Sequence, residues 1–453
     1  MKILFVAIED VPRFGFDGCN DLEVAMAERR TSGLRLARAV RTQVGFDMVC
    51  LDDLLPADHL ARQVWAYTER CDLSAFYDRI RAVEGEAGRT PIDPAILTAL
   101  WLYATLEGVG SARLLDRLCK RDVSYRWICG GVGVNYHTLA DFRVEACEVL
   151  DGWLTRSMAA LADAGVVDFE CLAVDGVRVR AGAGTSSFRS KPRLGELHAM
   201  AVQKVTMLRA ELESDPAASS NRSRQREMRE AEARAARIEE AQKAAEAIAQ
   251  ERKQRAREQR HKPPEDNNAR ASVTDAEARV MHMGDGGYRP AYNVQVKTDP
   301  KSLCIVGVEV TNKASDRGQL LPAVEEIKKR YGKAPKRALA DGGYDGKDDV
   351  EELYHRGVEV FCPMPGSRGK QVPAEVKPRE GPGVIAWRER MSTHEGFAAY
   401  QKRFACERPH ADMRNRGLQR FLVRGIRKTK AVVLWHVHAY NFLQIRRLAP
   451  QFA

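Results

Sequence analysis

From Phe169 onward the chain carries a set succession of short apolar segments, and that succession limits its folding more than any other feature. "FECLAVDGVRVR" (169–180) reads as a buried strand that ends near Asp175, where Gly176 breaks it. "YNVQVKTD" (292–299) alternates as a strand and meets a turn at Asp299-Pro300, and "LCIVGVEVT" (303–311) is a third strand. "GQLLPAVEEIKKRYG" is a helix stopped by Gly332, "KRALADGGYDG" a strand running into a glycine-rich turn, "DDVEELYHRG" a helix and "VEVFCPM" a strand. A helix containing Glu407 closes the series. Three strands, then alternating helix and strand, predict an α/β domain around a mixed sheet. Between the first two strands lie about seventy residues rich in Ala, Glu, Arg, Gln and Lys, with many charge pairs at i,i+4. They predict a long exposed helix or a helical hairpin that turns at "SDPAASSN" (214–221). This arm is either a solvated spacer or a face that lies along DNA or a second subunit.

Before Phe169 the period is helical. In "PIDPAILTALWLYATLEGV" Asp93 caps the helix, Pro94 fits its first turn, and Ile96, Leu97, Leu100, Tyr103 and Ala104 share one face. Ser111 caps "SARLLDRLCKRD", and "NYHTLADFRVEACEVLDGWLTRSMAALADAG" carries a further long helical pattern. The expected organisation is an N-terminal extension of no clear period (1–50), a helical domain (51–168), an α/β domain (169–192 and 271–447) and a charged helical insertion (193–270).

The chain's 453 residues suffice for two or three domains. No apolar run approaches the roughly 18 residues of a membrane span, and "MKILFVAIED" has acids where a signal peptide would not. Ten scattered cysteines without a C-x-x-C pair read as reduced thiols of a cytoplasmic protein. The net charge of +10 favours polyanions. About a dozen Lys and Arg stand between Tyr400 and Arg447 against Glu407 and Asp412 alone. That run is either a solvated face or a nucleic-acid surface, and its Phe404, Phe421, Trp435, Tyr440 and Phe442 require part of it to pack.

Asp175 and Asp341 each follow apolar residues at a strand end and precede glycine, in "LAVDG" and "ALADG". Each alone can be a turn cap. If their strands are neighbours the two carboxylates crowd one spot, and one stays protonated unless a cation intervenes. Mg²⁺ suits a few carboxylates together with water and phosphate oxygens. Glu407, the acid within the basic segment, is either an ion-pair partner or a third ligand. On an ideal helix Tyr400, Arg403, Glu407 and Arg414 fall within roughly 60° of one another, so two guanidiniums would hold phosphate beside that carboxylate. Pro409 predicts a kink in this helix.

These blocks resemble the ribonuclease-H-like core of bacterial insertion-sequence DDE transposases. The spacing Y-x2-R-x3-E-x6-K of that family reads here as Tyr400, Arg403, Glu407 and Arg414, with arginine where lysine is usual. "LAVDGVRVRA", "TDAEARVM", "YNVQV" and "ALADGGYDG" look like family blocks, and residues from about 51 to 168 look like its N-terminal domain. The resemblance implies that Asp175, Asp341 and Glu407 are catalytic and hold Mg²⁺, with Mn²⁺ as a substitute and two ions about 3.5–4 Å apart. It implies hydrolysis of DNA phosphodiesters at terminal inverted repeats, strand transfer by the freed 3′-hydroxyl, and a homodimer pairing two ends on double-stranded DNA. Tyr400, Arg403, Arg414, Arg178, Arg180, Tyr344, Lys428 and Lys430 are assigned to DNA contact. The alternatives are a repurposed DNA-binding protein without catalysis and a metal-dependent nuclease that does not join strands.

Several other features have blander readings. "WHVH" offers His436 and His438 as half of a zinc site, but no matching cluster follows. His394 and His410 could touch DNA. "GDGGY" (284–288) lacks the Gly-Lys-Ser/Thr of a phosphate loop and reads as a turn. Trp387 reads as core, and Tyr344 could instead pack beneath its turn.

Overall fold

The computed structural model describes residues 50–80, 90–214, 221–258, 268–367, 370–374 and 379–450. The expected extension 1–50, apart from its last residue, and the tip of the arm lie outside these residues.

Among the described residues seven α-helices precede the sheet, a single turn at Ser74–Tyr77 and six longer ones: α1 (Leu60–Arg70), α2 (Pro94–Leu106), α3 (Ala112–Arg121), α4 (Val123–Cys129), α5 (Tyr136–Glu145) and α6 (Cys147–Asp163). The caps form as the sequence predicts. Asp93 accepts the Ala95 amide at 2.8 Å with Pro94 in the first turn, and Ser111 accepts the Leu114 amide. Helix α2 does not present one apolar face, however. Nearly every residue of it is buried, because α1, α4, α5 and the last helix surround it. The long pattern after Asn135 is two helices, α5 and α6, that break at Ala146.

The sheet is built from β1 (Cys171–Arg180), β4 (Arg279–His282), β5 (Tyr288–Thr298), β6 (Ile305–Thr311), β7 (Arg337–Ala340) and β8 (Glu359–Phe361). Two further strands, β2 (Phe188–Ser190) and β3 (Arg270–Ser272), form a separate short ladder at the base of the arm. Strand β5 lies antiparallel to β1 on one edge, and carries β4 and β6 end to end on the other. Strands β1, β7 and β8 run parallel. The order β6–β5–β1–β7–β8, with helices α9 (Leu320–Tyr331) and α10 (Lys347–His355) between the parallel strands, is the ribonuclease-H-like arrangement. The arm is a pair of helices, α7 (Lys191–Ser214) and α8 (Arg222–Glu258). The ion pairs Lys204–Glu227 and Lys191–Glu246 make them antiparallel, and Leu194, Ala201, Ile238, Ala241 and Ala245 fill their seam.

The chain ends with α11 (Pro382–Ser392), α12 (His394–Gln401), α13 (Glu407–Asn415) and α14 (Ile426–Leu448). Helix α14 joins the two parts. It is buried along most of its length against α2, α5, α6 and β6, so one hydrophobic core runs from the first helices to the sheet. Asn441 accepts the Ile305 amide at 2.9 Å and donates to the Ile305 carbonyl at 2.8 Å, closing the edge of β6. Trp435 donates its indole N–H to the Arg143 carbonyl.

The two histidines of "WHVH" belong to this core, and among the described residues no cluster completes a zinc site with them. His438 stacks on Trp153 with ring centroids 4.0 Å apart and hydrogen-bonds the Leu150 carbonyl at 3.0 Å. Burial drives both imidazoles down, His436 to about 3, helped by Arg143 and Arg416, and His438 to about 4. The unfolded chain takes up protons near the ordinary histidine pKa of about 6.5, whereas the folded chain refuses them. Stability owed to the two groups is therefore full above that pH. It falls as the pH drops below it, by up to about 1.4 kcal/mol per pH unit for each imidazole. His438→Gln is expected to show a thermal midpoint that declines less than the wild type's between pH 6.5 and 4.5; parallel curves would mean that the folded imidazole is already protonated.

Candidate active site

The last residue pair of the β1–β7 ladder is Val174 with Ala340. The next residue on each strand is an aspartate, so the parallel register sets Asp175 and Asp341 abreast. Strand β7 stops there, and Asp341 caps the following turn, accepting the Gly343 amide at 2.8 Å. Strand β1 does not stop: contrary to the expectation that Gly176 breaks it, it continues to Arg180, fully paired with β5. The glycine has another role. A Cβ at position 176 would lie 2.4 Å from Asp316 Oδ1 and 2.7 Å from Gln295 Nε2, so the strand is kept bare for those side chains. The Asp175 carboxyl is largely buried and accepts its neighbour's amide, from Gly176, at 2.9 Å. Burial, and then the Asp341 charge, push its pKa up to about 6, against the pull of Arg403.

The segment around Glu407 is not one α-helix. Helix α12 ends at Gln401, Lys402–Cys406 winds as a 3₁₀ segment, and α13 begins at Glu407. The bend thus lies upstream of Pro409. Proline lacks the N–H that would bond the carbonyl of Ala405 and would crowd it in an α-helix, so the preceding turn tightens while Pro409 itself sits in the first turn of α13. Tyr400, Arg403 and Glu407 stay together all the same. The Arg403 guanidinium lies 5.9 Å from the Tyr400 ring centroid, 3.2 Å from Glu407 Oε1 and 3.5 Å from Asp175 Oδ2. Arg403 thereby bridges the third acid to the first. The Glu407 side chain is 64% exposed. Arg414 is exposed on α13, and its charge reaches His410 rather than the acids.

The remaining sequence-assigned residues divide. Lys428 is exposed, and Arg180 is half-exposed and paired with Asp285 at 3.5 Å. Arg178 is held by Asp316 at 3.3 Å and by the Ala314 carbonyl at 2.9 Å. Lys430 faces inward to Glu309 at 2.8 Å and Asp151 at 3.6 Å, because α14 packs on that side. Tyr344 is fully buried and donates its hydroxyl to Gln295, so it supports the turn after Asp341 and cannot meet DNA there. His394 is exposed, Trp387 is core, and "GDGGY" turns β4 into β5. His410 is buried, not on the surface, with Nδ1 3.5 Å from Asp175 Oδ2; burial, Arg414 and Arg403 lower it to about 4, which makes this a neutral contact and not an ion pair.

Sequence reasoning missed Asp316. It lies in the loop between β6 and α9 and accepts the side-chain amides of Asn293 and Gln295, each at 2.7 Å. In "KASDRGQ" an aspartate before Arg-Gly reads as a turn residue. The only signal available was the pair Asn293 and Gln295, two amides on one face of a buried strand that need an acceptor.

Among the described residues no three His, Cys, Asp or Glu converge closely enough to hold a metal as they stand. The donor chemistry fits a hard divalent cation nonetheless. Burial first, and then the Asp341 charge, raise the Asp175 pKa, and the charge that opposes them is Arg403, which holds the third carboxylate within its reach.

A family model described as transposase DDE domain matches residues 254–442, and one described as transposase domain (DUF772) matches residues 49–145. Asp341 and Glu407 fall inside the first match, whereas Asp175 lies between the two. No curated protein and no solved structure matches the chain.

Proposed function

Because the chain belongs to the DDE transposases of insertion sequences, we propose that it cuts DNA at the terminal inverted repeats of its element and joins the freed 3′-hydroxyl to target DNA. The observation that carries this reading is the adjacency of Asp175 and Asp341 across parallel strands, with Glu407 tied to Asp175 through Arg403. These three carboxylates would hold Mg²⁺ or Mn²⁺. A bound cation supplies Lewis acidity to the phosphodiester and acidifies water. The chain's own groups do the rest. Burial disfavours the charge of Asp175 until a cation is present, and Arg403 holds Glu407 near the sheet. The exposed Arg414 and Lys428 meet the DNA backbone. Phosphate contacts of this kind position DNA without reading bases. Two copies acting together would pair the element's ends, within the cytoplasm. Among the described residues no helix is long and apolar enough to cross a membrane.

The test uses the full-length protein with end-sequence and scrambled duplexes in Mg²⁺. Nicking at the repeat's tip followed by joined products supports the reading. Cutting without joining would reduce it to a nuclease, and binding without either would leave only a DNA-binding protein.

The same duplexes separate the two arginines. Arg414→Ala is expected to weaken binding to both duplexes by similar factors and to lower the log–log salt slope by roughly 0.9. Arg403 is already engaged by two carboxylates, so Arg403→Ala should leave the slope nearly unchanged. A slope loss from Arg403→Ala equal to that from Arg414→Ala would show that its guanidinium leaves the acids for phosphate.

A further inference from the structure

The loop between β6 and α9 is stitched to the turn that carries Asp341 by three separate connections. Tyr344, three residues after Asp341, donates to Gln295 Oε1; Gln295 and Asn293 donate to Asp316 Oδ1, and Arg178 reaches Asp316 Oδ2. Arg317 donates to Asp345 Oδ1 from both Nε and Nη2, at 3.1 and 2.8 Å. The first amides of α9, those of Leu320 and Leu321, are both accepted by Asp349 Oδ2 at the start of α10.

The Asp316 chain passes beneath the site. Gly176 pairs with Gln295, and successive side chains of a strand point to opposite faces, so Asp316, Gln295 and Asn293 lie on the face of β1 opposite Asp175. Both oxygens of Asp316 have donors, and its side chain is 11% exposed. Its carboxylate is therefore occupied as an anchor and is not a spare ligand. The turn it anchors has no ladder to hold it, because β7 ends at Ala340.

We propose that Asp316 is a positioning residue which, through Gln295 and Tyr344, fixes the turn after β7 so that the Asp341 carboxylate stands opposite Asp175 for cation binding. The bare backbone at Gly176 belongs to the same device, since a methyl group there would displace Asp316. This inference rests on the reading of Asp175, Asp341 and Glu407 as the cation-holding acids.

The experiment titrates Mn²⁺ into full-length wild type and into Asp316→Asn, Tyr344→Phe, Gly176→Ala and Asp341→Ala, following water-proton relaxation and, in parallel, thermal melts without metal. Outer partners of metal ligands typically contribute about 10–100-fold to affinity. Asp316→Asn, Tyr344→Phe and Gly176→Ala are each expected to raise the Mn²⁺ midpoint by about that factor, with binding to end DNA within about twofold of wild type. Cleavage should be lost at low Mg²⁺ and largely recovered at high Mg²⁺. The Asp316→Asn, Tyr344→Phe double variant should be little worse than either single one, because both cut one chain of hydrogen bonds. Lowered melting with an unchanged Mn²⁺ midpoint would overturn the proposal and leave Asp316 a stability residue. If Asp341→Ala abolishes Mn²⁺ binding while these three variants bind as wild type, the inference fails alone; if Asp341→Ala also binds as wild type, the reading of the acids fails with it.

Discussion

Asp175→Ala, Asp341→Ala and Glu407→Ala are each expected to lose metal-dependent cleavage of end DNA while keeping their fold and most of their DNA affinity. Even an outer partner of a metal ligand is worth about 10–100-fold, so removing a direct ligand should exceed that range. The three positions reach this result by different routes. Asp175 is paired with Val296 of β5 and lies one residue beyond the β7 ladder, and burial already disfavours its charge. Its removal relieves the repulsion with Asp341 and should not cost stability. Glu407 is exposed and is held by Arg403. Glu407→Gln keeps its size and its hydrogen bond but not its charge, and should fail as fully as Glu407→Ala. Cleavage by any of these variants at near the wild-type rate would remove that residue from the site. If Glu407→Gln were active and Glu407→Ala inactive, Glu407 would act by holding Arg403.

Glu326→Ala is expected to destabilise the fold by about 3–5 kcal/mol, the range for breaking a buried ion pair. Lys297 on β5 is only 2% exposed in its side chain, and its ammonium has Glu326 of α9 as its partner. Glu326 also accepts Arg330 Nε at 2.8 Å, and Arg330 continues to Asp151 at 2.6 Å and Thr155 at 2.9 Å on α6. Burial alone would raise the Glu326 carboxyl, but Lys297 and Arg330 outweigh it and hold the pKa below the usual range. Removing the carboxylate strands a buried ammonium and loosens the link between the sheet and the helical region. Replacing both partners by apolar residues, Lys297→Met with Glu326→Leu, should recover most of the loss, because no unpaired charge remains. Urea unfolding of the two single variants and the double variant decides the point. A loss under about 1 kcal/mol for Glu326→Ala, the value of an exposed pair, would mean that Lys297 reaches water.

The same packing bears on the helical region. Helix α14, far along the chain, lies against α2, α5 and α6. Cutting away those helices would bare its apolar face, so whether they recognise element ends is better tested by surface substitutions than by truncation.

What the residues themselves determined was local or periodic. The caps Asp93 and Ser111, the hydrophobic periods of β5, β6, β7 and α9, the glycine stop at Gly332 and the helical character of the arm follow from interactions within a few positions of the chain. The short strands β2, β3 and β4 left too few residues to establish a period. The two aspartates were legible as candidates because each closes an apolar run before glycine. Their adjacency was not, since it depends on β1 pairing with a strand more than 150 residues away, across the arm. Tertiary structure alone decided that β1 runs on past Gly176, that Tyr344 and Lys430 turn inward, that Arg403 bridges Asp175 and Glu407, and that Asp316 lies beneath the site. In each case the deciding term was burial against a distant element. A buried polar group must find its partner wherever the fold places one, and sequence spacing carries no record of that distance.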